Sequence, residues 1–182
     1  MTKSSKPGEG LSFYETLSIQ MQFVVPLIRR LQDVLGEQVV MDALEEANRR
    51  EQEAARNSFP AGVEADCSGL IKKLEFIMHD ALEYDVVRSD KEAAEFDVKS
   101  CGYQKLMKGL DAEDIGSAII CNMDYSYAEK AGMELTRTQT CMKGASHCDF
   151  RYRPRAVKQE SSDNRSGGAD RAQLDIYKRK ES

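Results

Sequence analysis

The sequence predicts an α+β fold, with a helical N-terminal half and a small antiparallel sheet formed by two C-terminal hairpins. Up to about residue 82, apolar residues recur at the three- and four-residue spacing of amphipathic helices. Beyond that point, two segments alternate between apolar and polar residues, which is the period of β-strands. The length fits one domain, which we place at 11–153, between predicted disordered segments at 1–10 and 154–182.

Three helices are predicted in the N-terminal half. The first covers 13–35, and Pro26 is expected to kink or split it. Its apolar stripe consists of Ile19, Phe23, Leu27, Leu31 and Leu35, and the stripe is widened by Met21, Val24 and Ile28. The second helix is predicted over 37–56 and the third over 66–82.

The C-terminal half is expected to pair its two hairpins into one antiparallel sheet. Its predicted elements are a hairpin from 83–88 and 95–100, helices over 104–109 and 114–130, and a second hairpin over 133–153. The turn of the second hairpin is predicted at 143–146, where the residues are small or polar and include one glycine. Its return strand places Cys148, Phe150 and Tyr152 on one face of the sheet.

The composition narrows the classes of partner. A net charge of −5 argues against a nucleic-acid-binding protein, whose phosphate contacts require a basic surface. No apolar run approaches the roughly 20 residues of a membrane span, and the polar N-terminus lacks the apolar core of a secretory signal. The five cysteines are therefore expected to be free, reduced thiols in a cytoplasmic protein.

Residues with reactive or charged side chains concentrate in the last part of the predicted domain. Cys121 and Asp124 are three residues apart on one predicted helix, so they share a face. The second hairpin and the end of the preceding strand supply the other candidates, namely Arg137, His147, Cys148, Asp149, Arg151, Cys101 and Tyr103. Two alternatives stay open: each cysteine could be a small buried apolar residue, and Asp149 and Arg151 could be a structural pair across the sheet.

The spacing of the cysteines does not favour a closed structural zinc site. Such sites use paired ligands two to four residues apart, and the cysteines from Cys101 to Cys148 have no such pair. An open site for a divalent metal, Zn or Mn, would need no local motif. A cysteine, His147 and an aspartate could form it, so a metal remains an alternative to a site without a cofactor.

Several short segments near the C-terminus of the predicted domain form a recognisable pattern, which consists of LTRTQT at 135–140, Gly144-Ala145, and CDFRY at 148–152. Upstream segments that belong to the same pattern are FDV at 96–98, Cys101 with Tyr103, and CNMD at 121–124. Together these segments resemble the L-2-amino-thiazoline-4-carboxylic acid hydrolase family. The resemblance implies a hydrolase that opens a cyclic amidine or isothiourea ring such as 2-amino-thiazoline-4-carboxylate. Water adds at C2 to give a carbamoyl-cysteine, on a route of cysteine biosynthesis.

That activity implies a small-molecule substrate with a carboxylate, which needs a cationic partner. Arg137 or Arg151 could bind the carboxylate with two parallel hydrogen bonds. Cys101, Tyr103 and His147 are expected to complete the substrate-binding set.

The amidine carbon requires a nucleophile. The thiolate of Cys148 or Cys121 could attack it directly, and a nearby arginine would lower the pKa of that thiol. Alternatively, Asp124 or Asp149 could act as a general base on water, with or without a metal.

Two other classes of function remain open at the level of the sequence. One is a non-catalytic sensor that binds a small molecule on the same fold. The other is a structural protein that forms a homodimer through the long helices within 13–56, whose apolar stripe allows dimerisation as well as core packing.

Overall fold

The computed structural model describes residues 10–156, so most of the two predicted disordered segments lies outside the described residues. The N-terminal half contains helices α1 (Phe13–Leu35), α2 (Glu37–Ser58) and α3 (Leu70–Met78). The C-terminal half contains strands β1 (Leu82–Ser89) and β2 (Ala94–Cys101), helices α4 (Gly102–Gly109), α5 (Glu113–Gly116) and α6 (Met123–Lys130), and strands β3 (Met133–Thr136) and β4 (Cys148–Pro154). No helix among these residues is both long enough and apolar enough to cross a bilayer.

The four strands form one antiparallel sheet in the order β1-β2-β4-β3. The α+β prediction is confirmed, because β2 and β4 pair and thereby join the two hairpins. The inner face of the sheet, which packs against α3, carries Phe96, Val98, Cys148, Phe150 and Tyr152. Three of these rings stack: Phe96 and Phe150 lie 4.7 Å apart with nearly parallel planes, and Tyr152 continues the row.

The first helix is apolar on two sides: Met21 and Ile28, which widen the predicted stripe, are buried, whereas the five residues of the stripe itself are exposed. The buried residues of α1 are Leu17, Met21, Val25 and Ile28. The predicted stripe lies on the other side, where Phe23 is 72% exposed and Val34 is 65% exposed. We call this surface the outer ridge of α1, and it consists of Ile19, Phe23, Leu27, Leu31, Val34 and Leu35. Periodicity could not separate the two sides, because both repeat at helical spacing.

Pro26 does not split α1, which is one helix from Phe13 to Leu35. The proline is exposed, and so is Gln22, whose carbonyl group loses its helical hydrogen-bond donor. Water can bind that carbonyl on the solvent side of the helix. The cost of an internal proline is therefore smaller here than in a buried helix.

Helix α3 is shorter than the predicted 66–82. Before it, the carboxylate of Asp66 accepts a hydrogen bond from the backbone N–H of Ser68 at 2.6 Å, and Gly69 has a φ of 73°. After it, Asp80 also has a positive φ, of 62°. Left-handed residues stop a right-handed helix, so these two positions set the limits of α3.

The predicted helix over 114–130 is interrupted by a π-helical turn from Ser117 to Cys121. The backbone N–H of Asn122 donates to the carbonyl oxygen of Ser117 at 2.9 Å, which is the five-residue spacing of a π-helix. The turn separates α5 from α6. Turns of this kind are frequent at functional sites.

The predicted strand over 133–141 ends at Thr136. The carboxylate of Asp149 takes the backbone N–H groups that would otherwise continue the strand. The chain then forms an irregular connection with a 3₁₀ turn at Cys141–Lys143. Gly144 has a φ of 85°, which fits the turn predicted at this position.

A buried carboxylate ties α6 to α2 and to the end of β4. Glu129 is 8% exposed and accepts hydrogen bonds from the guanidinium groups of Arg56 and Arg155. The backbone N–H of Arg155 also donates to the carbonyl of Gly132 at 2.9 Å. A buried carboxylate requires such partners, so this group fixes the position of the helix that carries Asp124.

Gly102→Ala is expected to destabilise the fold, whereas Gly109→Ala in the same helix is expected to stabilise it. A Cβ at position 102 would lie 2.8 Å from the backbone oxygen of Ala81, whereas a Cβ at position 109 would meet no atom within 4 Å. We expect a loss of about 2 kcal/mol for Gly102→Ala and a gain of about 0.5 kcal/mol for Gly109→Ala. Urea denaturation followed by circular dichroism measures both, and equal stabilities would contradict the close approach at Gly102.

Candidate functional site

A cavity of about 70 Å³ lies between the two hydrophobic clusters of the protein. One cluster joins α1, α2 and α4, and the other joins α3 to the inner face of the sheet. The cavity walls are mainly apolar, and the volume admits several water molecules or a small ligand. The polar and reactive residues in the wall are Cys101, Tyr103, Cys121, Asp124, Tyr127, Arg137, Thr140, Cys148 and Tyr152.

Arg137 and Asp124 form an ion pair in the cavity wall. Nη1 of Arg137 donates to Oδ2 of Asp124 at 2.5 Å, and Nη2 donates to the carbonyl oxygen of Cys121 at 3.1 Å. The arginine side chain is 6% exposed and the aspartate side chain is 30% exposed. The pair joins the connection after β3 to the π turn and to α6. The carboxylate is the more accessible of the two groups.

Two aromatic rings hold the guanidinium of Arg137. Its Cζ lies 5.0 Å from the ring centroid of Phe150 and 5.4 Å from that of Tyr125. Both distances fall within the range of cation–π interactions. Rings and carboxylate together restrict the guanidinium, so its geometry is set before any ligand binds.

Burial raises the pKa of Asp124 to about 6, although the charge and hydrogen bond of Arg137 pull it down. For Arg137, burial acts to lower the pKa, but Asp124 raises it above the ordinary value. The arginine is therefore charged at neutral pH. The aspartate changes its protonation state near pH 6, which is the range in which a carboxyl group works as a general base or acid.

The thiol of Cys148 lies on the inner face of β4 and is buried. The backbone N–H of Cys141 points at its Sγ at 3.2 Å, and the hydroxyl of Thr140 lies 3.7 Å from the same sulfur. A backbone N–H donor favours negative charge on the atom that accepts it. The sulfur of Cys148 thus receives a backbone donor, as does that of Cys101 from the first turn of α4.

The other two cavity cysteines are neutral thiols. Burial raises the pKa of Cys121 to about 12, and the nearby Arg137 offsets this only in part. Burial also raises the pKa of Cys101 to about 11. The pKa of Tyr103 is likewise raised by burial, and its hydroxyl donates to the carbonyl of Ile77 at 2.6 Å. The sequence led us to expect that a nearby arginine would lower the pKa of the thiol. At Cys121 burial outweighs this effect of Arg137, and the pKa is raised.

Three of the predicted site residues lie outside the cavity wall. Arg151 is on the outer face of β4, where it binds Asp97 on β2 at 2.7 Å. Asp149 is on the same face and accepts hydrogen bonds from Thr138 and Gln139 at 2.6–2.8 Å, which lower its pKa although burial raises it.

The two-residue period of a strand explains this placement. Asp149 and Arg151 alternate with the inward residues Cys148 and Phe150, so they point away from the cavity. Both residues have structural roles, as one of the alternatives from the sequence expected. They do not pair with each other, however, because each binds a different partner. His147 precedes β4, and its Nδ1 lies 3.1 Å from the hydroxyl of Ser146.

Three polar wall residues were not among the candidate site residues from the sequence, namely Tyr127, Thr140 and Tyr152. Tyr127 lies three residues after Asp124 on α6, and helical spacing could have identified it. Thr140 contacts the sulfur of Cys148 and also interacts with the thiol of Cys121. It lies in the irregular connection between β3 and β4, where the two-residue period of a strand no longer sets the direction of a side chain.

No group of three or more His, Cys, Asp or Glu side chains within residues 10–156 is arranged to hold a metal ion. The predicted alternative of Cys, His and Asp ligands required His147 at the cavity, and the structure places it elsewhere. The described donors therefore do not fit a metal centre.

Comparison with known proteins agrees with the resemblance found in the sequence. The family model for L-2-amino-thiazoline-4-carboxylic acid hydrolase matches residues 17–152. A search of the curated proteins finds no match. The matched range contains β1 to β3, β4 as far as Tyr152, and every residue of the cavity wall except Phe13. Because the match covers most of the chain, the protein belongs to the L-2-amino-thiazoline-4-carboxylic acid hydrolase family.

Proposed function

We propose that the protein is a hydrolase that opens the ring of a small cyclic amidine carrying a carboxylate, such as 2-amino-thiazoline-4-carboxylate. The observation that carries the proposal is the placement of the Arg137–Asp124 pair and the Cys148 thiol in the wall of one largely apolar cavity. The family match supports the same class of reaction. A cation, a titrating carboxyl group and a thiol are the groups that such a ring opening needs.

Arg137 is the residue that binds the substrate carboxylate. Its guanidinium has five N–H groups, and Asp124 and the carbonyl of Cys121 each accept from one of them. Remaining donors are available to a ligand in the cavity. Arg151, the other candidate, is bound to Asp97 on the far side of the sheet and takes no part in this role.

Cys148 is the nucleophile. Its thiolate adds to C2 of the ring, and the bond from C2 to the ring sulfur breaks, so the ring sulfur leaves as a thiol. Water then attacks C2 and releases Cys148, which gives the carbamoyl product. The backbone N–H of Cys141 donates to the Cys148 sulfur at 3.2 Å, whereas burial raises the pKa values of Cys101 and Cys121, so those two thiols stay neutral.

Asp124 handles protons in both steps. With a pKa of about 6, it is mostly ionised at neutral pH and can take a proton from the attacking water. Its carboxylate can also pair with the protonated amidine of the substrate. Direct attack by water that Asp124 activates is the competing route, and it would not use Cys148.

Ring opening of 2-amino-thiazoline-4-carboxylate by the purified full-length chain tests the proposal, with the new thiol and the carbamoyl product both measured. We expect Cys148→Ala to lower kcat by about 1,000-fold or more, which is the scale of losing a nucleophile. Cys141→Ala is the matched control, because its side chain is not in the cavity wall and its backbone N–H is kept. This control should retain near wild-type kcat.

Each contrary outcome has a separate meaning. Full activity in Cys148→Ala would assign the attack to water and reject the thiolate. Binding of several cyclic amidines without turnover by the wild-type chain would reject the hydrolase and leave a sensor of small molecules.

A further inference from the structure

The outer ridge of α1 is an apolar surface that no described part of the chain covers. All six of its residues are at least 40% exposed. The opposite side of the same helix is buried in the core through residues such as Met21 and Val25. A single buried side is enough for a helix at the surface of a domain, so a second apolar side is a candidate contact surface.

The size of the ridge fits an interface. Its exposed residues present about 700 Å² of surface, whereas one partner of a standard protein–protein interface buries about 800 Å². The largest apolar patch of a typical monomer is about 300–600 Å². Pairing of two ridges would bury at most about 1,400 Å² in total, which reaches the lower part of the range of specific interfaces.

The ridge is also complementary to itself. Five of its residues repeat at four-residue intervals with Leu27 at the centre: Ile19, Phe23, Leu27, Leu31 and Leu35. In an antiparallel pair about a two-fold axis at Leu27, Phe23 of each copy meets Leu31 of the other. Ridges at four-residue spacing pack into one another in the commonest class of helix packing.

Few charges oppose this pairing. Between the ends of the ridge the charged residues are Arg29, Arg30 and Asp33. Arg29 turns away to bind Asp114 at 2.6 Å, and Arg30 lies 3.8 Å from Asp33. A membrane-surface helix would instead carry many cations, and the net charge of −5 disfavours anionic lipids.

We propose that a second copy of this chain covers the outer ridge of α1, as a two-fold antiparallel helix pair centred on Leu27. The inner side of α1 contributes Phe13 and Leu17 to the cavity wall. The dimer would therefore hold one wall of the cavity in place. This interface does not depend on the reaction that the cavity catalyses.

Size-exclusion chromatography with light scattering tests the proposal on the full-length chain. We expect the wild type to have twice the 20.5 kDa mass of one chain at micromolar concentration. Leu27→Glu should raise the dimer Kd by at least about 100-fold, because two carboxylates would meet at the axis. Val87→Glu on β1 is the matched control, since Val87 is 54% exposed and Leu27 is 48% exposed.

A charge-swap experiment tests the two-fold axis. Leu27→Glu and Leu27→Lys are each expected to be monomeric, and their equimolar mixture should recover the dimer because residue 27 faces its own counterpart. Circular dichroism should show unchanged helix content in each variant.

Three results would overturn the proposal. The first is a monomeric wild type, including one that binds phosphatidylcholine–phosphatidylglycerol vesicles through the ridge. The second is a Leu27→Glu variant that remains dimeric. The third is a mixture of the two charge variants that stays monomeric.

Discussion

Arg137→Met is expected to lower the free energy of unfolding by about 3 kcal/mol, the cost of removing one partner from a buried ion pair. The substitution keeps an apolar side chain between the rings of Tyr125 and Phe150. It leaves the carboxylate of Asp124 and the carbonyl of Cys121 without their donor. Urea denaturation at pH 7.5 measures the change.

A double-mutant cycle with Asp124→Asn isolates the pair. An amide at position 124 needs no cation, so the double variant should recover at least half of the stability that Arg137→Met loses. Equal losses in the single and double variants would show that Arg137 stabilises the fold through the rings and not through the carboxylate.

The same Arg137→Met variant should lose selectivity for carboxylate substrates. We expect its kcat/KM for 2-amino-thiazoline-4-carboxylate to fall by about 100-fold or more, as for the loss of a charged contact. The value for 2-amino-2-thiazoline, which lacks the carboxylate, should change much less. A similar fall for both compounds would assign Arg137 to positioning Asp124 alone.

Asp124 should reduce the stability of the protein as the pH rises from 4 to 6. Its pKa is about 6 in the folded protein and near 3.8 when unfolded, so the folded state binds more protons in this window. The contribution of Asp124 to the free energy of unfolding therefore falls by up to about 3 kcal/mol as the pH rises through this window. It is constant at higher pH. Denaturation at a series of pH values measures the trend.

Asp124→Asn is the reference for this measurement, because other carboxylates titrate with the opposite sign. The pKa of Asp149 is lowered in the folded state, so its contribution is lost as the pH falls. The free energy of unfolding of Asp124→Asn, relative to that of the wild type, should increase from pH 4 to pH 6 and remain constant above pH 6. A difference that is constant between pH 4 and pH 7 would show that Asp124 titrates near its ordinary pKa.

The sequence predicted the fold class and most elements, because the change from helical to alternating period marks where the sheet begins. It missed the limits of α3, since left-handed Asp80 carries no signal in a periodic pattern. It also did not decide which side of α1 is buried. That side is chosen by contacts with distant elements such as α2 and α4, which a local pattern does not contain.

The candidate site was predicted in part. Cys101, Cys121, Asp124, Arg137 and Cys148 all reach the cavity. The role of each in catalysis stays a prediction. Asp149 and Arg151 were grouped with them by proximity in sequence, but alternation along β4 turns them to the other face.

The aromatic residues around the cavity also give the protein an optical property. The chain has seven tyrosines and no tryptophan, so its near-ultraviolet emission comes from tyrosine. Three tyrosines, Tyr103, Tyr127 and Tyr152, line the cavity, and Tyr125 lies against the guanidinium of Arg137. Occupancy of the cavity would therefore alter the surroundings of several emitters at once, with no stronger indole signal to mask the change. Tyrosine fluorescence would therefore report directly on binding of a ligand in the proposed substrate cavity.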